Sequence, residues 1–421
     1  MIIFVIRRYN DIDHLCPIVY KLKKDTTRPV MVLCQNPDYN IFDDFRLEYL
    51  RDSLGVDIRY VPEAHTPTTL HRVLARLLCG RHRLYAEHKI SPANAPLVLP
   101  ARAFLKVLHT DFVNNHVFRR FFGVEWAVDF FNQAGVSAVV FDFAKTRQYH
   151  TDILFNAAKQ LNIPTVAVPP GAMMYADKLG TIKSFEQYEF PDYDYYVMQH
   201  ELRRSLTVAI GGRLDKMVNL GIPRFSSEWL EVLNHITPRS LSLEPPQNGK
   251  IRVLYIDRPI HDGMDKEKLV ATLRGISKLD FVDLIIKPHT RNNRLHFQEL
   301  SNLGRVVNDT DSLELIRWAD AVVGTTSSIL LEALLQDKTL LFPGYLCDHH
   351  MLIDQMNACH KVDNLETLLT TLRQIQAGKF SRSYSTKNVQ ALVTRLVYDG
   401  ETDGDVLTNY QEFLKSIEKR A

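Results

Sequence analysis

The first hydrophobic run, Ile2-Ile3-Phe4-Val5-Ile6, is short, continuous and β-branched, and it stops at Arg7-Arg8. Such a run predicts a strand buried on both faces, as in a parallel sheet. The polar turn Asn10-Asp11-Ile12-Asp13-His14 follows. Residues 15–22 then read as the first turns of a helix, with Pro17 near its start. Residues 29–34 predict the next strand, and strand–helix–strand is the opening of a doubly wound sheet. Residues 66–125 change character. They are rich in Arg, His, Leu and Phe, as in 71–78 and 117–122, and their pattern is mostly helical. Alternation returns with a strand over Ala138–Asp142, a helix over 152–161 and a strand over 164–168 that ends in the sharp turn Pro169-Pro170-Gly171.

Residues 240–250 hold two prolines, a glycine and little hydrophobic pattern, which predicts a linker. Beyond it the alternation restarts, with strands over 252–256, 281–286, 304–307, 321–323 and 339–342 and helices over 266–279, 312–318 and 328–335. The expected architecture is α/β, with two Rossmann-like domains facing across a cleft. Residues 1–240 form the first and 250–394 the second, with helices in 395–421 packing back on the first. In such sheets ligands sit outside the carboxyl ends of the strands. The residues just after each strand therefore carry the functional reading.

Composition narrows the classes. A chain of 421 residues, 45% hydrophobic and 24% charged, suits two or three ordinary soluble domains. A net charge of only +2 argues against a protein built to coat nucleic acid. The five cysteines are scattered and form no CxxC, as expected of thiols in a reducing compartment rather than of a disulfide framework or zinc ribbon. The first apolar run is too short for a secretory signal, and no run reaches the ~18 apolar residues of a membrane span. A cytoplasmic protein is expected. The basic and apolar stretch 71–84, with Arg119-Arg120, reads in two ways. It is either a peripheral contact with the anionic inner membrane or a helical packing face with solvated arginines.

Three segments carry candidate chemistry. In Ile285-Ile286-Lys287-Pro288-His289-Thr290-Arg291 an apolar strand runs straight into Lys287, His289 and Arg291, a natural site for phosphate oxygens. His289 would alternatively act as an acid, and an exposed basic turn is the bland reading. In residues 321–334, a buried strand meets Gly324, which permits close backbone approach. Thr325, Thr326, Ser327 and Ser328 then open a helix, where N–H groups and hydroxyls bind anions, or where Thr326 or Ser327 simply caps. Glu332 lies four residues beyond Ser328 on the same helix face, placed to grip ribose hydroxyls. Asp257 ends the strand over 252–256 and would point into the cleft as a nucleophile or general base, or else pair with Arg258 in a turn. In the first half, Asp11, Asp13 and His14 would bind or deprotonate an acceptor hydroxyl, with N-capping as the alternative. Asp142, followed by Lys145 and Arg147, has the same two readings. No P-loop, HExxH or GxSxG is present, and the DxD spelling of Asp11-Ile12-Asp13 is too short to imply a metal.

With these residues in view, the chain resembles bacterial surface-polysaccharide glycosyltransferases of GT-B fold. The nearest in kind transfer 3-deoxy-manno-octulosonic acid (Kdo) from CMP-Kdo, and the CDP-glycerol glycerophosphotransferases are related. Asn10-Asp11-Ile12-Asp13-His14-Leu15-Cys16-Pro17, Lys287-Pro288-His289 and Gly324 to Glu332 carry the likeness. The resemblance implies a metal-independent enzyme with no cofactor beyond a nucleotide-sugar donor, CMP-linked. Its acceptor would be a glycan or lipid-linked glycan of capsule or lipopolysaccharide. It also implies roles: His289 at the donor phosphate, Ser327 and Ser328 on phosphate or sugar carboxylate, Glu332 on ribose, Asp257 as the catalytic carboxylate. Thr290 departs from the His-Pro motif, and Pro170-Gly171 stands where relatives carry His-Gly. CDP-glycerol or UDP-hexose transfer, sugar-nucleotide epimerisation and a degenerate nucleotide-sugar-binding domain are the alternatives.

Overall fold

The computed structural model describes residues 1–88, 111–143, 150–169, 171–172, 174–176, 190–238, 249–257, 264–289, 298–308, 310–400 and 405–418. Two parallel sheets organise them. The first holds β1 (Ile2–Ile6), β2 (Val30–Cys34), β3 (Asp57–Tyr60), β4 (Ala138–Asp142), β5 (Thr165–Val168), β6 (Tyr195–Met198) and β7 (Met217–Asn219), in the order 3-2-1-4-5-6-7. The second holds β8 (Ile251–Ile256), β9 (Val282–Lys287), β10 (Arg305–Val306), β11 (Ala321–Val323), β12 (Thr339–Pro343) and β13 (His360–Val362), in the order 10-9-8-11-12-13. In each sheet the order reverses beside the first strand, between β1 and β4 and between β8 and β11. Such switch points open a crevice at the carboxyl ends of the strands.

The strands form where the hydrophobic runs lie because both faces are covered. All five residues of β1 are buried. In the second sheet alternate residues face opposite ways. Leu254, Ile256, Val322 and Phe342 join the large core shared with the first half. Val253, Tyr255, Val323 and Leu341 pack on the other face with Leu269 and Leu273 of the helix Lys266–Ser277 and Leu368 and Leu372 of the helix Leu365–Gln376. Each aliphatic side chain so buried is worth roughly 1.5–3 kcal/mol.

The first helix differs from its sequence reading. It runs Tyr9–Asp25, so Pro17 sits in its interior and not at its start. Pro17 cannot donate to the Asp13 carbonyl, a loss of about 3 kcal/mol in an ordinary helix. Burial of Ile12, Leu15, Ile18, Val19 and Leu22 along the same helix offsets it. The predicted linker 240–250 falls almost wholly outside the described residues. The helix Val406–Ile417 returns to the first half. Lys21 reaches Asp405, Arg28 pairs with Glu418 at 2.5 Å, and Phe413 packs edge-on against Tyr195. No helix among the described residues is long and apolar enough to cross a membrane.

Candidate functional site

The two switch points meet at one seam. At the first, Arg7 directly follows β1, and the start of the next helix brings Asp11 beside it. The Arg7 backbone N–H donates to Asp11 Oδ2 at 2.8 Å, which fixes the turn from strand to helix. The Arg7 guanidinium also reaches Asp142, at the end of β4, so one buried arginine is shared by two buried carboxylates. Burial, then the charge of Asp11, push the Asp142 carboxyl above its usual range against the pull of Arg7.

One turn further on, Asp13 and His14 are equally buried. Asp13 accepts from Arg46 on one oxygen and from Arg224 on the other. Burial pushes its carboxyl above the usual range against the pull of Arg224 and Arg46. Asp13, expected to act on an acceptor hydroxyl, is thus also a link between two arginines in this conformation. His14 Nε2 accepts the Gly171 N–H at 2.6 Å, so its proton sits on Nδ1, which is buried without a partner. Burial, with Arg224 and Arg46 adding to it, lowers the His14 pKa to about 3, and the ring is neutral. Gly171 has φ +74°, a conformation that favours glycine, and its carbonyl accepts from Gln199. The turn that lacks a histidine in sequence thus has one beside it in space, supplied by the first helix.

At the second switch point Asp257 follows β8, Lys287 ends β9 and Gly324-Thr325-Thr326-Ser327-Ser328 follow β11. Asp257 is wholly buried. Lys287 is buried too, and its Nζ donates to the carbonyls of Asn308 at 2.7 Å and Thr310 at 2.9 Å. That ammonium ties down the chain before the helix Ser312–Trp318. His289 is half-buried, and Thr290 and Arg291 lie outside the described residues. Gly324 is needed for packing: a Cβ there would meet Leu330 Cδ2 at 2.8 Å. Thr325, Thr326 and Ser327 are buried. The helix Ile329–Leu335 is only seven residues long, and its N-cap, Ser328, makes no side-chain capping bond. So short a helix adds little dipole.

The halves are joined by a chain of alternating charges that the sequence did not disclose. Asp44 caps the helix Phe45–Asp52 and grips Arg46, at 3.0 Å from Oδ1 to Nε and 2.6 Å from Oδ2 to Nη2. Arg46 reaches Asp13, Asp13 reaches Arg224, and Arg224 Nη2 donates to Glu332 Oε2 at 2.8 Å. Tyr9, stacked under the Arg46 guanidinium at 4.1 Å, donates to Asp311 Oδ2 at 2.5 Å. Backbone pairs close the same seam: Ala176 N–H to His350 O at 2.8 Å and Leu352 N–H to Met174 O at 2.7 Å. Glu332 is wholly buried. Burial, with Asp13 and Asp311 adding and Arg224 opposing, pushes its carboxyl up to about 7. Asp11 Oδ1, His14 Nδ1, Arg224 Nε and Glu332 Oε1 are all buried there without partners. Folded proteins leave few such atoms, and these four belong to the charged and polar residues along the seam. Among the described residues no group of His, Cys, Asp and Glu is arranged to hold a metal.

No family model and no curated protein sequence matches the chain. Solved structures do match in fold. The chain is similar to UDP-N-acetylglucosamine 2-epimerase from Rickettsia bellii at 12% identity and TM-score 0.53, over 99% of this chain and 97% of that one. It is similar to UDP-GlcNAc 2-epimerase from Neisseria meningitidis bound to UDP-GlcNAc at 12% identity and TM-score 0.54, over 99% of each chain. A glycosyltransferase from Rickettsia africae matches at 12% identity and TM-score 0.51, over 99% of this chain and 98% of that one. The chain has the GT-B-like fold, two Rossmann-like halves facing each other across the seam just described.

Proposed function

We propose that the chain is a glycosyltransferase that moves Kdo or a related acidic sugar from a CMP-sugar onto a growing surface glycan. The observation that carries this reading is the junction of the two switch points. Glu332, on the helix after the hydroxyl-bearing turn Thr325–Ser328, is tied through Arg224 to Asp13, two residues beyond Asp11 of the Arg7, Asp11 and Asp142 trio. Residues 250–394 would hold the donor, with Ser327 and Ser328 on its phosphate or sugar carboxylate, His289 at the phosphate and Glu332 on the ribose. Residues 1–240 would present the acceptor, and Asp257 would be the carboxylate that acts on the transferred sugar. Hydroxyl donors and His289 would offset charge on the leaving phosphate in a site closed to water.

The test is nucleotide binding followed by turnover. At saturation CMP raises the melting temperature by about 2–4 °C, more than UMP, UDP, CDP or GDP do. In Ser327→Ala the CMP affinity drops about 10-fold, as expected when a donor to a charged oxygen is lost. A panel in which CMP is not preferred removes the CMP-sugar reading. Asp257→Asn lowers turnover of CMP-Kdo at least about 100-fold with little change in CMP binding. Unchanged turnover takes Asp257 out of the chemistry. A sugar-nucleotide epimerase has the same fold, and product formed without any acceptor glycan would favour that activity.

A further inference from the structure

Glu332 is an unfinished site. It lies on the helix after β11, wholly buried, with Oε2 held by Arg224 and Oε1 left without a partner. Arg224 comes from the other half of the molecule, from the 3-10 turn Pro223–Phe225. That turn is firmly set. The Ile222 N–H before it donates to the Val397 carbonyl at 3.0 Å, Phe225 is wholly buried, and the guanidinium rests over the Phe225 ring at 5.3 Å. Arg224 also holds Asp13 through Nη1, which leaves its Nε as a buried donor with no partner. One ion pair across the seam thus carries a spare acceptor on Glu332 and a spare donor on Arg224. Vicinal hydroxyls, each able to donate and accept, are the groups that satisfy both.

We infer that Arg224 is the positioning residue for the donor's ribose: it fixes Glu332 so that Oε1 meets the ribose hydroxyls, and so makes the ribose site a joint product of both halves. This rests on the reading of the second half as the nucleotide site. Arg224 acts through Glu332, and its planar fork is what spans Asp13 and Glu332 together. A lysine keeps the charge and loses the fork.

Calorimetric titration of CMP and 2′-deoxy-CMP tests it on the full chain. The wild type binds CMP at least about 10-fold more tightly than 2′-deoxy-CMP, the size expected for one charge-assisted hydrogen bond. In Arg224→Lys and Arg224→Gln that ratio falls to within about twofold of one, while 2′-deoxy-CMP affinity stays within about threefold of wild type. Arg224→Lys retains a cation between the two carboxylates and serves if Arg224→Gln does not fold, as judged by circular dichroism. Folded variants that keep the wild-type ratio overturn the role of Arg224 and leave the nucleotide site standing. Tighter CMP binding in either variant overturns it as well, because Arg224 would then compete with the ribose for Glu332. A wild type that binds neither nucleotide overturns the donor reading itself, and this inference with it.

Discussion

Arg46→Met lowers the free energy of unfolding by about 3–5 kcal/mol, measured by urea titration at neutral pH. The side chain is 2% exposed and is flanked by Asp44 and Asp13, so its loss leaves buried Asp44 without a cation and buried Asp13 with Arg224 alone. Burial raises the Asp44 carboxyl, and Arg46 overrides that and holds it below the ordinary range. Without Arg46, Asp44 keeps the Tyr39 hydroxyl and the backbone N–H groups of residues 46 and 47 but no cation. Methionine fills much of the same volume, so the loss measures charge and hydrogen bonding more than a cavity. Adding Asp44→Asn to Arg46→Met should restore part of the deficit, because the uncompensated charge is then removed. The loss also reaches the seam, since Asp13 would keep only Arg224. A deficit under about 1 kcal/mol would mean that Asp44 and Asp13 are already solvated or protonated, and the charge chain would not be a structural bond between the halves.

The chain of charges also shows what was legible in the sequence. The strands Ile2–Ile6, Ala138–Asp142 and Ala321–Val323 were readable because burial on both faces writes an unbroken apolar run. Strands such as Met217–Asn219, half-buried at the edge of the sheet, leave no such run and were missed. The first helix was read too short because Pro17 was given its usual place near a helix start, and burial of the flanking side chains overrode that preference. Asp11, Asp142, Asp257 and Glu332 were singled out because they follow strands, and the ends of strands open on the crevice in a doubly wound sheet. Arg7 was in plain view there too, but it read as the stop of a hydrophobic run. Arg224 had no signal. It follows no long strand, and its partners Asp13 and Glu332 lie 211 and 108 residues away in sequence. Only the fold brings them together. Lys287 shows what the sequence could not: the lysine read as a phosphate ligand is buried, with two backbone carbonyls on its ammonium.

The stability of His14→Gln should respond to pH in the opposite sense from the ring it replaces. His14 is fully buried, and its pKa falls from 6.5 to about 3. The folded state therefore prefers the neutral ring. The stability this lends is complete above about pH 6.5 and is lost progressively as pH falls toward 3, by about 1.4 kcal/mol per pH unit and roughly 4–5 kcal/mol in all. Glu332 works against it. Its carboxyl is raised from 4.5 to about 7, so its contribution is complete below about pH 4.5 and is lost as pH rises to 7, roughly 3 kcal/mol. Between about pH 4.5 and 6.5 these two slopes oppose each other, and the other buried carboxyls, Asp142 raised and Asp44 lowered, act alike in both proteins, so the difference between wild type and variant isolates the histidine. Glutamine at position 14 can place an amide oxygen where Nε2 accepts the Gly171 N–H, so the turn at Gly171 keeps its bond. Urea unfolding at steps from pH 4 to 8 then has a definite outcome. The wild-type-minus-variant difference rises by about 1.4 kcal/mol per pH unit up to 6.5 and is flat above it, and the variant loses stability from pH 4.5 to 7 as Glu332 ionises. Parallel profiles for the two proteins would place the His14 ring in water with an ordinary pKa, and the buried polar seam would not hold together as described.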